Sequence, residues 1–324
     1  MKKMDIICIG AALVDMIATI ERFPLEDDEV FVSDLEMMSG GAAANTAAAC
    51  GKLGLKCAFI GKLGNNDVFG RKIIDDFKKA NVNTNHIKYS EFNATGSAYV
   101  ALNQHDKDRR IFAHSGAADY LSESDIKEEE LRLSRLIYLS SLKNISPFVK
   151  AAKIGKKYRI PVILNPGMLI IDQGFDRIKN LLRNLDILIL SKREYLTLLK
   201  VSPEEISERI FVQKSKVLFH FGITILIITM GNKGALLLHH NKAYNIPSIE
   251  VENIADTTGA GDAFSAGFIY EYLQVKDNRP SKLQKCVAVG NFVAGKCIQR
   301  LGARNGIPSQ QEIELFKEEL NNKI

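Results

Sequence analysis

Residues 253–268 read NIADTTGAGDAFSAGF: a short apolar run, two acids, two threonines and two close glycines, then a helical pattern of small residues. Gly259, Ala260 and Gly261 stand directly before that pattern, which begins near Asp262. The first N–H groups of a helix are unpaired donors at the positive end of its dipole, and small side chains let a ligand approach them. The stretch therefore predicts an anion-binding turn.

Asp262 adds an acid to this turn, where it would repel a stored phosphate. A carboxylate there suits a different task, which is to take a proton from a hydroxyl that attacks phosphorus. A helix N-cap after a glycine turn is the alternative, but the nearby Asp256, Thr257 and Thr258 favour the catalytic interpretation. Two other glycine motifs fail. No Gly-Lys pair precedes Ser or Thr as in a Walker A loop, and a dinucleotide fingerprint needs glycine where Phe264 stands.

A second glycine-rich segment reads SGGAAANTAAACGKLG at residues 39–54. Gly40 and Gly41 allow an open turn before an alanine-rich helix that carries Asn45 in its first turns. Tight helix packing would explain the alanines, but a buried amide is costly without partners, which favours a substrate contact. Asp15 is predicted at the end of the first strand, where ligands of α/β sheets bind, and it can accept hydrogen bonds from two sugar hydroxyls. The segment and Asp15 together predict a substrate site.

Short apolar runs alternate with helical patterns along most of the chain. Continuous apolar strands separated by helices predict the α/β class, with a parallel sheet and helices on both faces. The predicted strands are 5–10, 56–63, 136–140, 161–165, 186–190 and 225–229, and the predicted helices are 42–53, 67–80, 146–158, 192–200, 204–221, 260–273 and 281–299.

Residues 13–37 and 95–114 break this rhythm, because apolar and polar residues alternate in them. Alternation is typical of strands with one buried and one solvated face. We expect these strands to form a small β-sheet, inserted as a lid into a single domain that spans residues 1–324. Exposed lid strands also invite pairing between protomers, so a homodimer through the lid is a hypothesis.

The overall composition restricts the choice of partners. The 324 residues include 43 basic and 38 acidic side chains, a formal net charge of +5, and 46% hydrophobic residues. The basic residues form no cluster long enough for a nucleic-acid footprint, and no run reaches the roughly 18 apolar residues of a membrane span. The five cysteines show no paired spacing. We therefore expect a soluble cytoplasmic protein without a nucleic-acid or membrane partner.

The glycine-rich segments and their acids together resemble the ribokinase-like family, the phosphofructokinase B (PfkB) carbohydrate kinases. The resemblance spans the chain and implies a three-layer α/β/α sandwich with a mostly parallel sheet and a small β lid. It implies transfer of the γ-phosphoryl group of ATP to a hydroxymethyl group of a sugar, nucleoside or similar molecule, with Mg²⁺ and a monovalent cation such as K⁺. By this resemblance Asp262 is the catalytic base, Gly259, Ala260 and Gly261 form the anion hole, Asp15, Gly40, Gly41 and Asn45 bind substrate, and Asp256 lies beside the monovalent cation.

Weaker matches concern the nucleotide. The stretch ITMGNKGAL resembles the family's T-x-G-x-x-G turn, which makes Thr229, Gly231 and Gly234 ATP contacts. Any β-hairpin turn can show the same pattern. The resemblance also assigns Thr258 and Asn291 to the nucleotide, with Asn291 beside adenine, although an Asn inside a helix is often only solvent-facing.

The stretch SKREYLTLL matches the family's N-x-x-E motif only in part. Glu194 is present, and the resemblance gives it the task of ordering Mg²⁺ through water. Ser191 replaces the usual Asn, a change that can weaken placement of the metal or phosphate. An exposed acid in the first turn of a helix is the alternative interpretation of Glu194.

The acceptor stays open at this point. Leu13 and Ala42 stand where ribokinases carry Asn and Lys, which argues against ribose held in the ribokinase manner and for a partly apolar molecule. A nucleoside is the alternative to a sugar, and Tyr99 or Phe112 of the lid would then stack its base, unless these aromatic rings form the core of the lid itself. A second alternative is a non-catalytic sensor of sugar or nucleotide, but Asp262 and its glycine turn are intact.

Overall fold

The computed structural model describes residues 3–105, 108–205 and 207–322. Residues 106–107, assigned above to the lid, lie outside these ranges. The strands are β1 (Met4–Gly10), β2 (Leu13–Ile20), β3 (Asp34–Gly40), β4 (Cys57–Ile60), β5 (Lys62–Gly64), β6 (Val82–Asn83), β7 (Lys88–Ser90), β8 (Thr95–Asn103), β9 (Arg109–Gly116), β10 (Ser134–Ser140), β11 (Val162–Asn165), β12 (Ile187–Ser191), β13 (Ile225–Thr229), β14 (Ala235–His239) and β15 (Lys242–Ile246).

The α-helices within the described ranges lie between these strands or, in the case of the last three, follow β15. None of them is long and apolar enough to cross a membrane. They are α1 (Ala42–Lys52), α2 (Val68–Lys79), α3 (Glu128–Leu131), α4 (Ser146–Tyr158), α5 (Met168–Ile171), α6 (Phe175–Leu182), α7 (Lys192–Leu199), α8 (Glu208–His220), α9 (Ala260–Tyr272), α10 (Pro280–Cys297) and α11 (Gln310–Asn322).

The large sheet has the strand order β15–β14–β13–β12–β11–β10–β1–β4–β6. Its neighbouring strands are parallel, apart from the pairs β13–β14 and β14–β15 at one edge. The strand sequences ILILS in β12 and ILIIT in β13 are continuous Ile and Leu runs, which suits strands covered on both faces. The predicted, mostly parallel central sheet is confirmed.

Helices cover both faces of the large sheet and bury two separate apolar cores. Ile6 and Cys8 of β1 belong to one core, which they share with α1, α9 and α10. Ile7 and Ile9 belong to the other, which they share with α4, α6, α7 and α8. Successive side chains of a strand point to opposite faces, so this division places helices on either side of β1. The predicted α/β/α layering is therefore present.

Residues 56–63 differ from the single predicted strand, because the chain turns at Gly61 between β4 and β5. A Cβ on Gly61 would lie 2.4 Å from the Phe59 ring and 2.8 Å from the Gly10 carbonyl oxygen, so only glycine fits here. Strand β5 then leaves the large sheet and pairs with β7.

The small sheet consists of β3, β2, β8 and β9 in that order. Strand β2 is antiparallel to β3 and parallel to β8, and β8 is antiparallel to β9. Strand β1 ends at Gly10, and β2 begins at Leu13, so Asp15 lies in the small sheet and not at the end of the first strand as predicted. Only two residues separate β1 from β2, and this short connection keeps Asp15 close to the carboxyl edge of the large sheet.

Candidate active site

The predicted anion turn forms the N-terminus of α9. Gly259 precedes the helix with φ 78°, a backbone conformation that favours glycine, and a Cβ there would lie 2.3 Å from the Ala303 Cβ. Both the conformation and the lack of space therefore require glycine at this position. A Cβ on Gly261, in contrast, would meet no atom within 4 Å. The first turn of α9 therefore has one side packed against the loop that follows α10 and one side open to a ligand.

Asn45 and Asp262 join the two glycine-rich segments. The Asn45 Nδ2 donates to Asp262 Oδ2 at 2.9 Å, and the neighbouring Thr46 Oγ1 donates to the Asp262 carbonyl oxygen at 3.3 Å. Burial raises the pKa of Tyr138, so its phenol stays protonated and can donate to Thr46 Oγ1, which lies 3.2 Å from the Tyr138 hydroxyl oxygen. The helices α1 and α9 are thus held together at the predicted base.

The environment of Asp262 suits proton transfer. Burial of its carboxyl group raises its pKa to about 7; the Asn45 hydrogen bond and the Arg304 charge act in the opposite direction, while the Glu194 carboxylate adds to the rise. The residue as a whole stays partly exposed. Since a general base works best with a pKa near the operating pH, Asp262 can accept a proton here.

Arg304 is a site residue that the sequence interpretation missed. Its Nε donates to Asn45 Oδ1 at 2.8 Å, and its Nη2 donates to the Gly40 carbonyl oxygen at 3.3 Å. Burial lowers its pKa to about 10, while the charges of Asp76, Asp262 and Asp15 oppose the decrease, so it stays a cation at neutral pH. The arginine stands in a short glycine-bearing loop, and no sequence pattern links that loop to a residue 259 positions away.

Asp15 and Gly40 form the opposite wall of the site. A Cβ on Gly40 would lie 2.2 Å from Asp15 Oδ2 and 3.3 Å from Leu13 Cδ1, so the aspartate and the leucine both press against this glycine. Gly41 has φ 93°, and a Cβ there would lie 2.6 Å from the Ala11 carbonyl oxygen. Burial raises the pKa of Asp15, with Arg304 opposing the rise. The predicted substrate residues therefore lie together, next to Asp262.

A cavity of about 630 Å³ opens on the other side of the anion turn. Its size is that of a small-molecule or cofactor site, and its walls are mainly apolar, with Ile249, Val251 and Phe264 among them. Thr257 lines it, whereas Thr258 does not. The other predicted nucleotide and anion-hole residues along this cavity are Thr229, Gly231, Gly234, Asn291, Ala260 and Gly261.

Two of the predicted nucleotide residues are held by backbone contacts. Asn291 is buried and not solvent-facing, and its Nδ2 donates to the carbonyl oxygens of Ile246 at 3.1 Å and Pro247 at 2.9 Å. Thr258 donates its backbone N–H to Asp256 at 2.9 Å. The amide of Asn291 therefore shapes the cavity wall, and Thr258 belongs to the loop before α9.

Ser191 and Glu194 form a reciprocal cap at the start of α7. The Ser191 Oγ accepts the Glu194 backbone N–H at 3.2 Å, and Glu194 Oε2 accepts the Ser191 backbone N–H at 2.7 Å. Glu194 is buried, which contradicts the exposed-acid alternative, and burial raises its pKa. Only Oε2 is used in the cap, so Oε1 keeps lone pairs for a hydrated cation, and the residue fits the water-mediated Mg²⁺ role.

Asp256 ties two loops together. Its Oδ1 accepts the Thr258 N–H and its Oδ2 accepts the Gly302 N–H, both at 2.9 Å. Within the ranges that the structure describes, no cluster of three or more His, Cys, Asp or Glu side chains could hold a metal ion. A monovalent cation near Asp256 would therefore depend on backbone oxygens in addition to this carboxylate.

Tyr99 and Phe112 lie on the wrong face of the small sheet for base stacking. Asp15 pairs with Ala98 of β8, so Tyr99, the next residue, points to the opposite face. Phe112 pairs with Tyr99 and is 68% exposed, so it is not core of the small sheet. The predicted stacking of a nucleoside base on these rings is wrong, and so is the idea that Phe112 fills the core of the lid.

Comparison with known proteins relates this chain to carbohydrate kinases over nearly its whole length. Residues 3–310 match the pfkB family carbohydrate kinases. The deoxyribokinase of Salmonella typhi is 30% identical over 328 residues, covering 98% of this chain and 99% of that protein. The structure of Arabidopsis thaliana ribokinase complexed with ribose and ATP has a TM-score of 0.84 and 27% identity, covering 96% of this chain and 98% of that one.

An archaeal structure extends the likeness in fold. The nucleoside kinase of Methanocaldococcus jannaschii, an archaeal member of the ribokinase family, has a TM-score of 0.77 at 23% identity, over 98% of this chain and 99% of that one. At this identity the likeness shows the fold alone. The ribokinase-like arrangement of a large, mostly parallel sheet with helices and a small sheet is thereby confirmed.

Proposed function

The chain belongs to the pfkB family of carbohydrate kinases and is a sugar kinase of that family, and from this premise we propose that Asp262 is its catalytic base. One observation carries the proposal. Ala260 and Gly261 line the nucleotide-sized cavity, while the next residue, Asp262, accepts a hydrogen bond from Asn45 of the glycine-rich segment 39–54, here called the acceptor segment. Asp262 therefore stands where an acceptor hydroxyl and a terminal phosphate would meet.

The proposed reaction is an in-line transfer from ATP. Asp262 takes the proton of the acceptor hydroxymethyl group as its oxygen forms a bond to the γ-phosphorus. The bond from that phosphorus to the bridging oxygen breaks, and ADP leaves with the electron pair. The backbone N–H groups of the turn Gly259, Ala260 and Gly261 donate to the phosphoryl oxygens as their charge develops.

The proposed nucleotide site is the cavity between β13, the loop after β15, and helices α9 and α10. Thr229, Gly231 and Gly234 form the turn of this nucleotide site. The cavity wall that Asn291 holds in place would face the adenine ring of ATP. Thr258 would act from the loop before α9. Mg²⁺, when bound, supplies positive charge to the phosphate oxygens, and Glu194 is the residue that would hold it through water. Asp256 keeps its proposed place beside a monovalent cation.

The proposed acceptor is a sugar with one position that lacks a hydroxyl group. Asp15 offers a carboxylate to sugar hydroxyls, while Leu13, on the same face of β2, offers only methyl groups beside it. A hydroxyl that points at Leu13 would lose its hydrogen bonds, whereas a CH₂ group there would not. The similarity to a deoxyribokinase supports the same choice, so deoxyribose is the first candidate.

The test is ADP release from ATP and Mg²⁺, with and without K⁺, over a panel of acceptors. The panel holds 2-deoxyribose, ribose, fructose, fructose 6-phosphate, and purine and pyrimidine nucleosides. We expect turnover with free sugars and the highest kcat/KM with 2-deoxyribose. Turnover with nucleosides alone would replace the sugar by a nucleoside as acceptor. Nucleotide binding without any turnover would favour the non-catalytic sensor.

A further inference from the structure

Arg304 is connected to the proposed base through one side chain. Its Nε donates to Asn45 Oδ1 at 2.8 Å, and Asn45 Nδ2 donates to Asp262 Oδ2 at 2.9 Å. A guanidinium group has only donors, and an ionised carboxylate has only acceptors. The amide between them satisfies both partners in one orientation only, with its oxygen toward the arginine and its NH₂ group toward the aspartate.

We propose that Arg304 is a positioning residue for phosphoryl transfer, acting through Asn45. It holds the Asn45 amide in the orientation that donates to Asp262 Oδ2, and this hydrogen bond leaves Oδ1 free to take the acceptor proton. The proposal rests on the assignment of Asp262 as the base.

The guanidinium group is itself firmly placed. Its Nη2 donates to the Gly40 carbonyl oxygen at 3.3 Å, and the group lies 5.6 Å from the centroid of the Phe77 ring. The Arg304 carbonyl oxygen accepts the Lys52 ammonium at 2.5 Å, so the backbone of the loop is held as well. A side chain held at both ends can impose an orientation on the amide that it contacts.

Packing alone does not explain an arginine at this position. Its Nη1 is buried and has no hydrogen-bond partner among the described residues. A buried unpaired donor is costly, and an apolar side chain of similar length would avoid the cost. The same apolar side chain would leave Asn45 Oδ1 without the donor that Arg304 Nε supplies, so the arginine matters here for the orientation of Asn45 and not for packing.

A double-mutant cycle tests the proposal. The variants are Arg304→Met, Asn45→Leu and the double variant, and exposed Arg300→Met is the matched control. We expect Arg304→Met to lower kcat/KM for the acceptor on the order of tenfold, with the KM for ATP unchanged within about twofold. In the Asn45→Leu background the same change should lower kcat/KM by less than about threefold. Equal losses in both backgrounds, or no loss at all, would overturn the proposal.

A second variant leaves Arg304 in place, in case Arg304→Met does not fold. Asn45→Asp has nearly the same shape but presents only acceptors to both neighbours when ionised. It keeps the contact with Arg304 and loses the donor to Asp262, so kcat should decrease on the order of tenfold or more. A kcat equal to that of the unmodified enzyme would show that the Asn45 donor to Asp262 is not needed, which contradicts the proposal.

A crystal structure separates this proposal from the proposed function. If the unmodified enzyme turns over no acceptor, the assignment of Asp262 as a base fails. The Arg304→Met structure then still shows whether Arg304 positions Asn45. The Asn45 amide should rotate away from Asp262 in that variant, and a hydrogen bond retained at 2.9 Å would show that Arg304 does not hold it.

Discussion

The Asn45 side chain donates a 2.9 Å hydrogen bond to the Asp262 carboxylate across 217 positions of sequence. This contact brings the start of α1, which carries the acceptor segment, against the start of α9, which carries the anion turn. Because the two helix N-termini converge there, an acceptor hydroxyl and a phosphate can both reach Asp262.

Replacement of the proposed base should stop chemistry without stopping nucleotide binding. Asp262→Asn keeps the shape of the side chain but cannot accept the acceptor proton, so we expect kcat to fall on the order of a hundredfold or more. The Kd for ATP, measured by calorimetry, should stay within about twofold. Exposed Asp75→Asn in α2 is the matched control. Near-native turnover of Asp262→Asn would exclude the residue as the base.

The activity should depend on pH through Asp262. Its pKa is about 7, and the base is active when ionised, so kcat/KM should decrease as the pH falls through about 7. Glu194, Arg304, Tyr138 and Cys297 are the other titratable groups within electrostatic reach. The pH profile of kcat/KM checks this prediction, and a profile that is flat between pH 5.5 and 8 would contradict it.

The same pKa gives a stability prediction. The folded-state pKa of about 7 lies above the ordinary value of 3.8, so the stability contributed by the protonated form is complete below the ordinary pKa and is lost as the pH rises through 7. The side chain introduced by Asp262→Asn cannot ionise, so the Tm of this variant minus the Tm of the unmodified protein should be larger at pH 8 than at pH 5. Thermal unfolding at both pH values is the measurement. An equal difference at both would mean that the carboxyl group is not desolvated.

The selectivity of the acceptor site should change with Leu13. Leu13→Asn places an amide beside Asp15, where a sugar hydroxyl can now find a partner. We expect the ratio of kcat/KM for ribose to that for 2-deoxyribose to rise about tenfold. Competition between the two sugars checks the ratio. A change of less than about twofold would show that the acceptor does not approach Leu13.

The cap at the start of α7 should matter for metal use. Ser191→Ala removes the acceptor for the Glu194 N–H and should cost about 1 kcal/mol, or about 2 °C in Tm. Ser207→Ala removes an equivalent cap from α8 and is the matched control. Both should lower Tm, but only Ser191→Ala should raise the Mg²⁺ concentration for half-maximal activity. The same Mg²⁺ requirement in both variants would remove Glu194 from the metal site.

The outer face of the small sheet should join two protomers. Met37, Tyr99 and Phe112 are 49%, 37% and 68% exposed, and they form one row across the sheet on the face opposite Asp15. We expect sedimentation to give a dimer, and Phe112→Lys to weaken it, because a desolvated charge is costly. Phe92→Lys, at a position that is 96% exposed, is the control. A monomeric mass for the unmodified protein would refute the dimer.

Much of the fold follows from local pattern. Runs such as ILILS and ILIIT have the length and composition of strands buried on both faces. The helical patterns predict α1, α2, α4, α7, α8, α9 and α10 close to their observed bounds, whereas α6 and α11 are not among the predicted helices. The sequence does not predict the boundary at Gly61, because its cause is a neighbouring strand: the Gly10 carbonyl oxygen leaves no space for a side chain. The sequence predicts Asp15 at the end of β1 and not in β2, because apolar residues continue across the break between the two strands.

The sequence alone predicted the chemistry proposed for this protein, since Gly259, Gly261 and Asp262 lie within one helical turn and need no distant residue to suggest an anion site with a base. The tertiary structure decided what surrounds Asp262, the proposed base. Arg304 contacts Asn45 across 259 positions, and Tyr99 turns away from Asp15 through strand register. Periodicity reports which face of an element is apolar, but which elements meet, and in which register, depends on the packing of the whole chain.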